Sequence, residues 1–273
     1  MEWRLARPKE FEKMAKEEQL CIVPLACLER HGEHMPFGTD GIIAEKIAVE
    51  AAKREPCMVF PTIYFGGEIH EATCFSGAVA FSNELCFRMW DSICSEIARN
   101  GFKKILFFNA HGGNVGMLTH YALSTLDHAE DYTFYWVNNT SNLSPEEMAK
   151  VNSIEKLDGE VYGHACQLEC NLVMSAEPGS VDFSLLETTD TIYPLGRSKH
   201  LGRINTGFYW YSDYPDHQTG TPTRATKEKG DQLMEIYINR LVEDIKAIKA
   251  DDVIPALHKE FLERKSNVGK FDE

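Results

Sequence analysis

The sequence predicts an α/β fold: a single domain with a mostly parallel central sheet flanked by helices. Three observations carry that expectation. Short apolar runs alternate with helix-spaced patterns along the chain. Two of those runs, around Ile22 and around Leu106, are continuously apolar, as strands buried on both faces are. No linker, internal repeat or low-complexity tract divides the 273 residues into separate units.

Taken in order, Phe11 to Gln19 reads as a charged amphipathic helix and Leu20 to Leu28 as a buried strand. Thr39-Asp40 opens a helix through Ile42, Ile43, Ile47 and Val49, and Met58 to Ile63 is a second strand. Asn83 to Asn100 places Leu85, Met89, Ile93 and Ile97 at helical spacing and stops at Asn100-Gly101, a common helix terminus. Lys104 to Asn109 is a third strand, a helix starts from Gly113, and Tyr132 to Asn138 is a fourth, aromatic strand. Ser144-Pro145-Glu146-Glu147 has the form of a capped helix start. Ser180 to Asp216, rich in Gly, Pro, Tyr, Asp and Thr, is expected to be irregular, as a surface excursion or as a lid over a site. Thr223 to Lys249 reads as a long closing helix, and residues 251–273 as a charged, mobile tail beyond a domain of residues 1–250.

Composition narrows the partners. Against 28 Lys and Arg stand 42 Asp and Glu, a formal charge of -14, with 43% hydrophobic residues and 26% charged. An acidic surface repels phosphate backbones and anionic headgroups, so neither nucleic acid nor a membrane is expected as a partner. The apolar runs are too short to cross a bilayer, and the first residues carry no apolar signal segment. The eight cysteines include no Cys-x-x-Cys pair, and Cys21, Cys86 and Cys94 sit among apolar neighbours as core residues do. The expectation is a cytoplasmic protein with reduced thiols, with Cys166 and Cys170 structural.

Three segments carry chemistry. Leu28 to Asp40 follows a buried strand, and Glu29 and His31, two apart, converge if the chain stays extended. With Asp40 at the next helix start, they form a candidate divalent-metal site, although Glu, His and Asp near a turn also serve as solvated or capping residues. Asn109-Ala110-His111-Gly112-Gly113-Asn114 ends the third strand where open α/β sheets bind ligands. His111 is a candidate ligand there, and the glycines would let backbone N–H groups approach an oxyanion; an exposed His in a plain Gly-Gly turn is the other reading. Neither a Walker loop nor a dinucleotide fingerprint is present, which argues against phosphate-handling or oxidoreductase chemistry. Gly163 to Asn171 holds His164 and Glu169 before an apolar run, a pairing that on its own is as readily structural.

Together these segments resemble the creatininase (creatinine amidohydrolase) family. Glu29 to Asp40 is similar to its Glu-x-His-Gly-x-His-x-Pro-x-Gly-Thr-Asp stretch, Asn109 to Asn114 to Asn-Gly-His-Gly-Gly-Asn, and His164 to Asn171 to His-Ala-Gly-Glu-x-Glu-Thr-Ser. Gly220 to Gly230 resembles a fourth motif, and Tyr64 to Gly77, with Gly66 and His70, a looser fifth. The resemblance implies a dinuclear metal-dependent amidohydrolase with two divalent ions per chain (Zn, Mn or Fe). Its substrate would be a small-molecule amide, a cyclic amide or a formamide, cleaved at a non-peptide C–N bond. It also implies a homo-oligomer, a hexamer among the options.

Carried over residue by residue, the resemblance makes Glu29 and His111 ligands of one metal and His31 of the other, with Asp40 bridging and His164 catalytic. The position of a fifth ligand in some members is Gly113 here, and Glu169 is its expected replacement. Cys166, Gln167, Cys170 and Asn171 depart from the third motif, and Gly163 stands where creatinine-hydrolysing members have Glu, which argues against creatinine itself. The same departures keep a second reading alive: a metal-binding relative without catalysis, acting in assembly or sensing. Trp136, Tyr162, Trp210 and Tyr211 are candidate walls for a flat substrate, and equally candidate core residues.

Overall fold

A computed structural model describes residues 1–67, 73–127, 130–139, 143–156, 163–186 and 193–269. Four parallel strands form one sheet in the order β2-β1-β3-β4, with β1 at Leu20–Leu25, β2 at Met58–Val59, β3 at Lys104–Asn109 and β4 at Thr133–Asn138. Successive residues of a strand face opposite sides, and both sides are covered. Leu20 and Ile22 of β1 and Leu106 and Phe108 of β3 join one apolar cluster with α2 (Thr39–Arg54), α5 (Pro145–Glu155), α6 (Gln167–Ala176) and α8 (Lys227–Ala250). Cys21, Val23, Ile105 and Phe107 join the other, with α1 (Pro8–Glu17), α3 (Asn83–Arg99) and α4 (Asn114–Ser124). This two-sided burial is why the central strands read as unbroken apolar runs.

The elements fall close to their expected places, and the differences have local causes. Strand β2 stops at Val59, because Pro61 has no N–H to give a ladder, and only Ile63 returns to bridge Leu25. After the one-turn α7 (Tyr209–Asp213), helix α8 starts at Lys227, where the Thr226 hydroxyl accepts the Lys229 N–H. Helix α5 has the expected cap: Ser144 and Glu147 exchange side-chain and backbone hydrogen bonds.

The largest difference is at the C-terminus. Residues 253–266, expected within a charged tail, form helix α9 (Val253–Ser266) beside β4. Its first turn is started by Asp251, whose Oδ1 accepts the N–H groups of Val253 and Ile254, and Lys265 reaches the carbonyls of Leu126 and Asp127. Its sparse apolar residues, Ile254, Leu257 and Phe261, do fall on helical spacing but are diluted by charge. Among the described residues, no helix is long and apolar enough to cross a membrane.

Candidate metal centre

From β1 the chain passes to β2 on one side, while β3 lies on the other, so the carboxyl ends of β1 and β3 flank the crevice where the strand order reverses. Glu29 and His31 follow β1, His111 follows β3, and Asp40 sits in the first turn of α2, where a carboxylate faces the positive end of the helix. The loop Gly163 to Cys166 and the first turn of α6 bring His164 and Glu169 over them. All six expected site residues therefore meet. Five have side chains almost fully withdrawn from solvent or nearly so, and Glu169 is 20% exposed at its side chain.

Asp40 stands between two groups. Its Oδ2 lies 3.1 Å from His111 Nδ1, and its Oδ1 lies 3.3 Å from His31 Nε2. Glu29 Oε1 is 2.7 Å from His111 Nδ1 and 3.8 Å from His31 Nε2, while Glu169 Oε2 is 4.0 Å from His31 Nε2. Ligand atoms from Cys27, Glu29, Asp40 and His111 all lie within 4.8 Å of one another, as do those of His31, Asp40 and Glu169. These donors suit a divalent cation: carboxylates and imidazoles converging in a buried pocket, with one thiol beside them.

The histidines are preset by their second nitrogens. His31 Nδ1 lies 3.3 Å from the Glu29 carbonyl, which can only accept, so Nδ1 holds the first ring proton and Nε2, aimed at the carboxylates, is the nitrogen that takes either a second proton or a metal ion. That Nε2 is fully buried and has no hydrogen-bond partner among the described residues. His164 Nε2 lies 2.7 Å from the Arg30 carbonyl, which leaves its Nδ1 facing Glu29 Oε1 at 3.8 Å.

The electrostatics ask for positive charge. Burial disfavours the His31 imidazolium, yet Asp40, then Glu29 and Glu169, raise its pKa to about 10. His111 is raised well above its ordinary value against the same burial, by Cys27, Glu29 and Asp40. Burial alone would push Glu29 up, but His111, His164 and His217 hold it well below the usual carboxylate range. Without a cation, the cluster draws protons onto its imidazoles, and a divalent ion would displace them. His164 differs: burial lowers its pKa, so at neutral pH it is an uncharged base.

Surrounding groups hold this arrangement. Asn109 Nδ2 donates to the His111 carbonyl (2.7 Å) and to Asn138 Oδ1 (3.1 Å), and Asn109 Oδ1 accepts from the His111 N–H and from Asn114. Gly113 cannot carry the fifth ligand of the resemblance: a Cβ there would lie 2.3 Å from His111 Nε2 and 2.8 Å from the Gly67 carbonyl. Gln167 faces away from the cluster. Its Nε2 donates to the carbonyl and carboxylate of the buried Glu155, which also accepts from Asn171. Two departures from the third motif are thus a helix-packing pair, and Glu169 is the α6 carboxylate that reaches the cluster.

One residue escaped the sequence analysis. His217, 1% exposed, lies 3.0 Å from Glu29 Oε2 through Nε2, and its Nδ1 accepts from Trp210 Nε1, also at 3.0 Å. It sits on a positive-φ turn just past the irregular segment, and the signal for it was a His directly before the Gly220 motif. A cavity of about 560 Å³ opens beside the cluster. Glu29, Asp40, His111, His164, Glu169 and His217 line it together with the apolar Met148, Val151 and Leu172 and the aromatic Tyr209 and Trp210. Of the candidate aromatic walls, Trp210 lines this cavity, Trp136 packs on the core cluster with Phe107, and Tyr162, like His70, lies outside the described residues.

The family profile described as creatinine amidohydrolase matches residues 5–245. The chain is 22% identical to 3-dehydro-scyllo-inosose hydrolase of Thermotoga maritima over 257 residues, covering 87% of this chain and 81% of that one. It is 20% identical to creatinine amidohydrolase of Pseudomonas putida, covering 87% and 93%. A shorter match, 30% identical over 111 residues, is to a mycofactocin precursor peptide peptidase of Mycobacterium tuberculosis, covering 36% of this chain and 42% of that one. Among solved structures, a creatininase (creatinine amidohydrolase) superposes with a TM-score of 0.73 at 17% identity, covering 92% and 98% of the two chains. A manganese form of creatininase superposes equally well, covering 92% and 99%. With its profile match across nearly the whole length, the chain belongs to the creatininase family of hydrolases.

Proposed function

We propose that this chain is a dinuclear metal-dependent amidohydrolase that opens a non-peptide amide, a cyclic amide or formamide of a small molecule, with an activated water. The observation that carries the reading is Asp40, whose two oxygens face His111 and His31 separately and so join two donor groups into one centre. Glu29 and His111 would hold one ion, His31 and Glu169 the other, with Asp40 shared. Bound there, such ions lower the pKa of water and polarise a carbonyl.

The chain's own groups do the rest. His164 is uncharged at neutral pH with Nε2 committed to the Arg30 carbonyl, so Nδ1 is free to take a proton from the attacking water and give it to the leaving nitrogen. Amide cleavage needs that proton, because an amine anion is a very poor leaving group. His217 and Trp210 orient Glu29, and Gly112, where an added Cβ would meet nothing within 4 Å, leaves backbone open to the cavity. Met148, Val151 and Leu172 give the cavity apolar lining for an uncharged part of the substrate. Cytoplasmic residence and a homo-oligomer, a hexamer among the options, accompany this reading; Ile204 and Phe208, both strongly exposed, are the kind of residues a subunit contact would cover.

The test is turnover of a panel of cyclic amides and formamides by protein loaded with Zn, Mn or Fe. Release of the ring-opened or deformylated product, abolished in His164→Ala with its metal retained, is the expected result. Metal retained without turnover of any amide would favour the non-catalytic, metal-binding alternative.

A further inference from the structure

We infer that Cys27 is a thiolate ligand of the ion held by Glu29, Asp40 and His111, which makes that half of the centre a sulfur-containing, zinc-preferring site. The inference rests on the metal centre proposed above.

Two of the buried thiols, Cys27 and Cys166, lie outside the apolar clusters, and of these only Cys27 groups with carboxylates and an imidazole among the described residues. Five of the seven buried cysteines, Cys21, Cys57, Cys86, Cys94 and Cys170, belong to the two apolar clusters of the core. Cys27 is fully buried yet belongs to neither, and its Sγ lies 3.7 Å from Asp40 Oδ2, the oxygen that faces His111. It is also the thiol whose sulfur groups with a carboxylate pair and an imidazole within 4.8 Å among the described residues. The spacing suits a shared ion. A sulfur and a carboxylate oxygen on one tetrahedral zinc, at bond lengths of about 2.3 and about 2.0 Å, stand about 3.5 Å apart. The second observation is His31, whose buried Nε2 has no hydrogen-bond partner among the described residues and lies 3.3 Å from the other oxygen of the same Asp40 carboxylate. The centre therefore has an unmet donor on one side of Asp40 and a sulfur on the other.

The consequence is an asymmetric pair of sites. A thiolate, a soft donor, favours zinc over manganese, whereas the His31, Asp40 and Glu169 group holds only nitrogen and oxygen and leaves manganese or magnesium in contention. Cys27 is fully buried and does not line the cavity, so its sulfur is placed to hold the ion and not to attack substrate.

The test uses the full chain and two readouts. In X-ray absorption of the zinc-loaded wild type, one sulfur neighbour at about 2.3 Å, shared over two zincs, is expected. In the cobalt-loaded wild type, a near-ultraviolet thiolate-to-cobalt charge-transfer band is expected, retained in Cys74→Ser, which removes the exposed thiol, and lost in Cys27→Ser with at least one cobalt still bound. Cys27→Ser should also lose the preference for zinc over manganese in competition. A nitrogen-and-oxygen-only shell with metal bound would overturn the assignment, and that measurement needs no variant. A wild-type chain that binds neither zinc nor cobalt would instead overturn the metal centre itself.

Discussion

The site has two halves that are built differently. Glu29, His31, Asp40 and His111 are attached to the carboxyl ends of β1 and β3 and to the first turn of α2, within a few residues of fully buried strands. His164, Trp210 and His217 come from connecting segments and a short helical turn, and Glu169 from the first turn of α6, tied to the first half by threads such as Arg30 to the Asp216 carbonyl (2.8 Å) and His164 Nε2 to the Arg30 carbonyl (2.7 Å). On the proposed reading the difference teaches a division of labour: the strand-borne half has four of the five carboxylate and imidazole ligands, and the loop-borne half adds Glu169 together with the base, the orienting imidazole and the cavity wall. Metal affinity and turnover should therefore separate by mutation.

The largest expected effect is in the loop-borne half. His164→Ala should lower kcat by about 10²- to 10⁴-fold while the metal content stays that of wild type. Metal content falling in step with activity would erase the distinction between the halves. Next, His217→Phe leaves Glu29 Oε2 without its imidazole partner. Apparent affinity for one ion should fall about 10- to 100-fold in a metal titration, with the other ion little changed; equal loss of both would mean that Glu29 serves the two ions alike.

Gly113→Ala probes the strand-borne half from behind. The new Cβ cannot fit beside His111 Nε2 without a shift, so thermal or urea unfolding should report a cost of about 1–3 kcal/mol, with weaker metal retention. Unchanged stability would show that the His111 loop is as yielding as the opposite half. The smallest effect belongs to Ser144→Ala, which removes the α5 cap for about 1 kcal/mol with kcat unaltered. Its partner Glu147 adds a pH signature. Burial pushes that carboxyl up, but hydrogen bonds from Ser144 outweigh it and lower the pKa. The contribution is full above the ordinary value of 4.5 and is lost as the pH falls through the lowered one, so the gap between wild-type and Ser144→Ala stability should narrow in acid by the part owed to the hydroxyl and the carboxylate, leaving the cap bond from the Glu147 N–H to Ser144 Oγ.

The same contrast explains what could be read in the sequence. Strands buried on both faces leave unbroken apolar runs, so β1 and β3 and the residues that follow them were legible, and with them Glu29, His31, Asp40 and His111. His164 and Glu169 were legible by resemblance alone, since residues five apart at a helix start share no face until the loop is folded. His217 was not, because a positive-φ turn after an irregular segment has no period to read. Gln167 illustrates the converse: its departure from the family motif looked like a threat to the metal site, and only tertiary packing against Glu155 shows that it faces elsewhere. Helix α9 was hidden by composition, its few apolar residues lying among charges beside an edge strand that no sequence pattern announces.

The most direct test is metal content by elemental analysis, for wild type and Asp40→Ala loaded and washed side by side. Two divalent ions per chain in the wild type, with both lost or sharply weakened in Asp40→Ala, is the predicted result. A wild type that cannot be loaded, or an Asp40→Ala chain that keeps both ions, would contradict a centre joined through Asp40.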